Sequence, residues 1–451
     1  MKIIIIGCGR VGQNLAEKLN ADGNKVTVID MQASKVEAIT SRCDILGIVG
    51  NGAISAIQRD AGVASADLLI AVTNSDELNL LCCVIAKKEG NCQTIARVKN
   101  PQFSKETAYL KEQLGLTMVI NPEYAAAEEV ARILRFPAAI KIEPFAKGKV
   151  ELVKFKLAPG NKLIGMSVKD MAMKYHCEIL VCTIERGDDA YIASGDFVFE
   201  EKDIVSIIGT PKNANDFFQK IEYRGNTIKR ALVVGGGVMT HYLCGILENA
   251  GINLKVIEKD YKLCEDLSIR WPKVDVINGN PSDRELLQEE GIKKAGAFVA
   301  LSNFDEENIL LSLFAQEFHS GKLITKINRA DYDSVINRLE LETVICPINI
   351  TSDTILRLVR ATRNAKGSNV ETLYNMIPGE VEAAEFIIKE NSPVSGKALS
   401  QMKFRKGVLI AAILRGGEVI IPRGSDVIQA GDAVVVVSKH LGLEDVKEIL
   451  R

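Results

Sequence analysis

A run of β-branched residues, Lys2–Ile6, ends in Gly7-Cys8-Gly9-Arg10-Val11-Gly12, and this junction limits the folds open to the chain more than any other feature. An unbroken apolar run of that length fits a parallel strand buried on both faces. Val11, Leu15 and Leu19 then recur every fourth residue, which gives the following segment one helical stripe. Lys25–Ile29 is the next strand, and Asp30 closes it, 21 residues beyond Gly9. Each part of this strand–turn–helix–strand unit has a physical reason. Gly7 permits a tight turn. Gly9 has no side chain to hold a diphosphate off the backbone. Gly12 lets the helix approach the strand. The N–H groups of Arg10 and Val11 open the helix, where free donors and the positive dipole end face an anion. Asp30 can accept from both hydroxyls of a ribose and would repel a 2′-phosphate.

The alternation continues. Ile45–Val49 reads as a strand before the turn Gly50-Asn51-Gly52, and Leu68–Val72 as a strand before Thr73-Asn74-Ser75-Asp76. A helix is expected from Asp76 to Lys88, a fifth strand over Thr94–Val98 and a sixth over Met118–Ile120. Strands alternating with helices imply a parallel sheet covered on both faces. Ligands of such sheets lie beyond the strand C-termini, where Gly9, Asp30, Asn51, Thr73 and Arg97 all fall. Asn121-Pro122 places a cap and a first-turn proline before an alanine-rich helix, Glu123–Leu134. That helix packs on its own sheet or crosses to another body, and the sequence does not choose between them.

The arrangement occurs twice. Ala231–Val234, Gly235-Gly236-Gly237 and a second strand ending in Glu258 repeat the opening, with an offset of 228 from Gly7 to Gly235 and from Asp30 to Glu258. Thr73-Asn74-Ser75-Asp76-Glu77-Leu78-Asn79 is echoed by Ser302-Asn303-Phe304-Asp305-Glu306-Glu307-Asn308. Between the sheets, Ile184-Glu185-Arg186-Gly187 and Lys202-Asp203 match Ile413-Leu414-Arg415-Gly416 and Gly431-Asp432. Four domains follow: 1–125, 138–222, 228–350 and 368–451. The copies differ at the turn, where Val238 stands for Arg10 and Thr240 for Gly12.

The chain has 451 residues, 47% hydrophobic and 25% charged, with a formal net charge of -2. No overall charge draws it to nucleic acid, and no apolar run approaches the roughly 18–20 residues of a membrane span. Ten cysteines without a C-x-x-C and four scattered histidines suggest buried thiols and no metal site. The acidic clusters Asp76-Glu77 and Asp305-Glu306-Glu307 sit at expected helix starts, where the dipole favours them.

Two dinucleotide-type sheets, each followed by a small module carrying the R-G…G-D pattern, resemble tandem RCK domains, the regulators of potassium conductance. A chain of this length with two of them resembles the regulatory subunit of Trk-type potassium uptake. The resemblance implies an α/β chain with two Rossmann-like, doubly wound parallel sheets, each followed by a small α+β RCK-C module. It also implies binding of NAD(H), or of ATP and ADP, and a homo-oligomeric ring, commonly a tetramer. The ring would lie on the cytoplasmic face of the membrane, held there by a potassium translocator whose pore it gates, without inserting into the bilayer. Gly7, Gly9 and Gly12 would hold phosphates and Asp30 the ribose, with Arg10 and Arg97 as candidate phosphate partners. Gly235, Gly237 and Glu258 would form the second site, which Thr240 puts in question.

Two other functions share these motifs. A dehydrogenase would show the same turn and acid but needs a positioned proton donor, and His176 in the small module lacks the pattern of a catalytic pair. A regulator of another cation transporter would use the same domains. The reading adopted is a regulator without catalytic residues.

Overall fold

The computed structural model describes all residues except 102, 104–106, 137–138, 188, 224–227, 249, 319–320, 330–338, 340, 366–369, 378–379, 441 and 444. The chain forms two compact units that pair like with like. One unit holds Met1–Arg135 and Asn226–Leu356, the other Phe136–Gly225 and Arg357–Arg451.

In the first unit, β1 (Lys2–Ile6), β2 (Lys25–Asp30), β3 (Leu46–Val49), β4 (Leu68–Ala71), β5 (Gln93–Arg97) and β6 (Met118–Ile120) form one parallel sheet in the order β3-β2-β1-β4-β5-β6. Ile3, Ile4, Ile5 and Ile6 are all buried, because β1 lies between β2 and β4 and helices cover both faces. The strand order reverses between β1 and β4, so the crevice that opens there lies beside Gly7.

The second parallel sheet repeats this pattern. It comprises β12 (Arg230–Val234), β13 (Asn253–Glu258), β14 (Asp275–Asn278), β15 (Ala297–Ala300), β16 (Lys322–Lys326) and β17 (Val344–Ile345), in the order β14-β13-β12-β15-β16-β17.

The helix that the sequence left without a partner is a crossover. Pro122–Arg135 starts with the Asn121 side chain accepting from Tyr124 N at 2.9 Å. Its apolar face, Ala126, Ala127, Val130, Ala131 and Leu134, is buried in the core of the second sheet with Val233, Leu243, Val256 and Ile324. Tyr124 and Tyr242 meet edge to face at 5.3 Å, and Tyr242 Oη accepts from Asn121 Nδ2 at 2.8 Å and donates to the Lys99 carbonyl at 3.0 Å. The matching helix of the second half, Pro347–Ala365, returns the exchange: Asn349 and Asp353 meet Asn14 and Lys18 of the first glycine-turn helix. An amphipathic stripe requires burial but does not name the surface it is buried against.

The second unit contains two antiparallel sheets of matching order. β7 (Ala139–Phe145), β8 (Val150–Lys156), β9 (Ile179–Arg186), β10 (Asp189–Ile192) and β11 (Ile204–Gly209) run β10-β9-β11-β8-β7. β18 (Val370–Ile377), β19 (Val381–Ile387), β20 (Val408–Arg415), β21 (Glu418–Ile420) and β22 (Ala433–Ser438) run β18-β19-β22-β20-β21. They share a core in which Phe145, Leu152 and Ile208 pack with Val381, Ala411 and Val435.

The R-G…G-D pattern is a structural clasp. Asp203, fully buried, accepts from Arg186 Nε and Nη2, each at 2.8 Å, and from Glu200 N at 2.8 Å. Asp432 does the same for Arg415 at 2.9 and 2.7 Å and for Gln429 N at 2.8 Å. The forked guanidinium fits a carboxylate along two parallel bonds, which locks one end of each module.

Candidate functional site

The three glycines of the first turn serve different ends. Gly7 has φ +103°, and a Cβ there would lie 2.9 Å from Thr73 N, so backbone conformation and space both demand glycine. A Cβ on Gly12 would fall 1.8 Å from the Gly7 carbonyl oxygen, so close helix–strand packing demands it. Gly9 has neither reason. Its φ of -73° and ψ of -174° suit any residue, and a Cβ would meet nothing within 4 Å. It caps the helix Arg10–Ala21 without a side-chain hydrogen bond, so the first-turn N–H groups open onto free space.

Asp30 is tied to the same turn. Its Oδ2 accepts from Cys8 N at 2.7 Å and its Oδ1 from Gln32 N at 2.9 Å. It therefore shapes the loop, while each oxygen keeps lone-pair capacity for a hydroxyl. Burial, with the Asp30 charge adding to it, pushes the Cys8 thiol up to about 12 and keeps it neutral beside the turn.

Asn51 spends its Oδ1 on Ala53 N at 2.9 Å, a local turn role. Thr73 gives its N–H and its hydroxyl to Asn79 Oδ1 at 2.7 and 2.8 Å. Asn79 Nδ2 in turn donates to the Thr73 and Arg97 carbonyls, clamping the ends of β4 and β5 together. This explains the asparagine that closes the repeated segment, since Asn308 makes the same bonds to Ser302 and Lys326. Arg97 stands at the end of β5 with its Nε buried and without a hydrogen-bond partner. Arg10 is exposed at the helix start, and Val11 is buried beneath it. Gly9, Arg10, Asp30, Thr73 and Arg97 thus lie around the strand C-termini, while Asn51 and Thr73 serve mainly to hold the loops. Asp76 is likewise structural: its Oδ2 accepts from Lys99 N and Asn100 N at 3.1 and 2.9 Å.

The second copy keeps the cradle and alters its surroundings. Gly235 has φ +98°, and Gly237, like Gly9, has an ordinary backbone and nothing within 4 Å of a Cβ. Glu258 accepts from Gly236 N at 2.6 Å and Asp260 N at 2.8 Å, the bonds that Asp30 makes. The longer acid folds against the turn: a Cβ on Gly236 would come within 3.0 Å of Glu258 Cγ, which explains glycine where the first copy has Cys8. Thr240 is fully buried and donates its hydroxyl to the Gly235 carbonyl at 2.5 Å. The turn and helix therefore stand further apart here, and Thr240 does not fill the site. A cavity of 180 Å³ remains, lined by Gly235, Gly237, Glu258, Leu263, Ser302 and Asn303 among others.

Two residues escaped the sequence reading. Lys326 occupies the Arg97 position, with its Nζ 3.5 Å from the Leu301 carbonyl and 3.4 Å from Asn303 Oδ1, both in the cavity wall. Glu123, on the crossover helix, has a buried Oε2 without a hydrogen-bond partner. The repeat offset signalled Lys326; Glu123 required the crossover to be known.

Known proteins give the same answer throughout the chain. The TrkA-N domain family model matches residues 3–122 and 231–347, and the TrkA-C domain model matches 152–222 and 383–451. A Trk system potassium uptake protein TrkA homolog of Methanosarcina mazei is 33% identical, with 100% of both chains covered. Its counterpart in Archaeoglobus fulgidus is 32% identical, again over 100% of both. Among solved structures, the GsuK channel bound to NAD aligns with a TM-score of 0.64 at 16% identity, over 97% of this chain and 76% of that one, a likeness of fold. The chain belongs to the TrkA family of Trk-system potassium-uptake proteins.

Proposed function

We propose that this potassium-transport regulatory subunit senses NAD(H) or adenine nucleotides at its first glycine turn and gates a membrane potassium translocator from the cytoplasmic side, as a homo-oligomeric ring whose conformation depends on the bound ligand. The observation that carries the nucleotide reading is Gly9: a glycine that neither its backbone angles nor its neighbours require, set before uncapped N–H groups. A diphosphate fills that space, Asp30 receives the ribose, and Arg10 and Arg97 supply positive charge. The protein is a regulator and not an enzyme. Among the described residues no helix is long and apolar enough to cross a membrane, which fits a subunit that reaches the membrane through its partner. A ligand gates by the difference in its affinity for two ring conformations, typically about 1–3 kcal/mol per effector.

The test is calorimetric titration of NADH, NAD, ATP and ADP into the wild type and Gly9→Asp, with mass determination of the assembly. Gly9→Asp should keep the assembly and lose binding at the first site, because the new carboxylate occupies the phosphate position. Unchanged stoichiometry and affinity in Gly9→Asp would remove the glycine turn as the sensor.

A further inference from the structure

The two junctions between a crossover helix and a glycine-turn helix are built from matching positions, and their charges differ. At the first, Lys18 pairs with Asp353 at 2.6 Å and Arg42 with Glu17 at 3.2 Å, while Asn14 meets Asn349. An offset of 228 carries Asn14, Glu17, Lys18 and Arg42 to Tyr242, Gly245, Ile246 and Arg270, and Pro122 and Pro347 align Glu128 with Asp353. Each ion pair has lost one partner in the second junction. Glu128 keeps its carboxylate where the lysine has become Ile246, and Arg270 keeps its guanidinium where the glutamate has become Gly245. Among the described residues neither forms an ion pair, with the other or with a third group. Both line a cavity of 810 Å³, a size usual for small-molecule sites. Its other walls are largely aromatic. Tyr124 and Tyr242 meet edge to face at 5.3 Å, His241 and Trp271 at 5.4 Å, and all four rings line the cavity. Trp271 Nε1 donates to His241 Nδ1 at 3.3 Å, which requires that nitrogen to be unprotonated. The indole has room because Gly245 lacks a side chain: a Cβ there would lie 2.9 Å from the indole ring. Burial, with the Glu128 charge adding to it, raises the Tyr124 phenol above its ordinary value, so the hydroxyl stays neutral beside the carboxylate.

We infer that this cavity binds a small zwitterion whose cationic end is an alkylated ammonium, held by the aromatic rings and Glu128, and whose anionic end is a carboxylate held by Arg270. The ligand supplies the two charges that substitution removed from the junction: its cation stands for Lys18 and its anion for Glu17. Aromatic faces attract a cation through the ring quadrupole, and several rings around one site are the known means of holding a quaternary ammonium. An alkylated ammonium has no N–H donors that apolar walls would leave unsatisfied, whereas a primary ammonium does. The planar guanidinium of Arg270 suits a carboxylate along two parallel bonds. Thr351 and Thr354 of the returning crossover helix complete the wall, so the occupant sits between the two crossover helices. The cavity shares no residue with either glycine turn, and the inference does not depend on nucleotide sensing.

The test is calorimetric titration of trimethylglycine into the full chain, beside two controls. The tert-butylacetate anion has the same shape with carbon in place of nitrogen, and choline keeps the ammonium but lacks the carboxylate. Saturable binding of trimethylglycine is expected, with each control about tenfold weaker. Glu128→Gln should weaken trimethylglycine by about tenfold and leave the tert-butylacetate anion unchanged. Ile246→Lys returns the lysine of the first junction to its place opposite Glu128 and should abolish binding. Melting curves show whether the variants stay folded, and the comparison of ligands on the wild type needs no variant. Equal affinity for trimethylglycine and the tert-butylacetate anion, or no saturable binding of trimethylglycine, overturns the proposal. Unchanged affinity in a folded Ile246→Lys protein also overturns it, because the ligand would then bind elsewhere.

Discussion

Replacing Gly9 and Gly12 in turn by alanine separates ligand space from packing space within one loop. At Gly9 the added Cβ meets nothing within 4 Å and the backbone stays in a common conformation, so the fold should hardly register it. The remaining cost is that of alanine at a helix N-cap, about 1 kcal/mol or less. The methyl group nonetheless occupies the space where a diphosphate would approach, and affinity for NADH and ADP at the first site should fall at least tenfold, or about 1.4 kcal/mol. At Gly12 the Cβ would lie 1.8 Å from a backbone oxygen, and no side-chain motion relieves that overlap. The helix must move off the strand, at about 3 kcal/mol, the upper end of ordinary overpacking. That should lower the melting transition of this sheet by roughly 10 °C, and weaken ligand binding as a consequence. Calorimetric scans of the ligand-free proteins and titrations of the same samples read both quantities. If Gly9→Ala bound nucleotide like the wild type, or if Gly12→Ala melted with it, the assignment of these glycines to different roles would be wrong.

Three further outcomes follow from the geometry. Arg186→Met should destabilise the small module by about 3 kcal/mol, because fully buried Asp203 loses both of its forked bonds; Asp203→Asn should cost less, and chemical denaturation compares them. Tyr242→Phe removes the hydroxyl that joins Asn121 to the Lys99 carbonyl and should cost about 1–2 kcal/mol in the same assay. Burial raises the Cys8, Cys82 and Cys244 thiols from 9.0 to about 12, with Asp30 adding to the effect at Cys8. The folded state thus keeps protons that the unfolded chain sheds, so their contribution is complete below pH 9 and is lost as pH rises from 9 toward 12. The melting temperature should decline less steeply over that range in a Cys8→Ala/Cys82→Ala/Cys244→Ala protein, and equal slopes would contradict this.

What the sequence disclosed was whatever is encoded locally. Gly7-x-Gly9, Asp30 and the strand–helix alternation announce themselves because turn geometry and burial periodicity are properties of neighbouring residues. The duplication carried this reading to Gly235, Gly237 and Glu258. It also marked Arg186, Asp203, Asn79 and their repeats, although their roles as clasp and clamp emerged only from the hydrogen bonds. What Thr240 does at the second turn was not legible either: its buried hydroxyl bonds the Gly235 carbonyl at 2.5 Å, and a cavity remains beside Gly235 and Gly237. The docking of Pro122–Arg135 stayed hidden because it joins residues such as Asn121 and Tyr242, 121 positions apart, through a helix whose destination no local pattern records.

That helix makes the two halves one structure, and Leu134 tests how far. Leu134 is 1% exposed and belongs to the first half in sequence, yet its neighbours in the core are Val233, Val256 and Val299 of the second sheet. Leu134→Ala should cost about 3 kcal/mol through the cavity it leaves. The loss should appear as faster hydrogen exchange in β12 and β13, with β1 and β4 changing less, since exchange reports the stability of the element that opens. Faster exchange confined to the first sheet would mean that the helix belongs energetically to its own half. The predicted pattern has a functional consequence. Two subunits exchanging such helices as separate, identical chains would carry identical sites, because any substitution would appear in both. Joined in one polypeptide, the exchange persists while the sites diverge, and Ile348 can stand where the other half has Glu123.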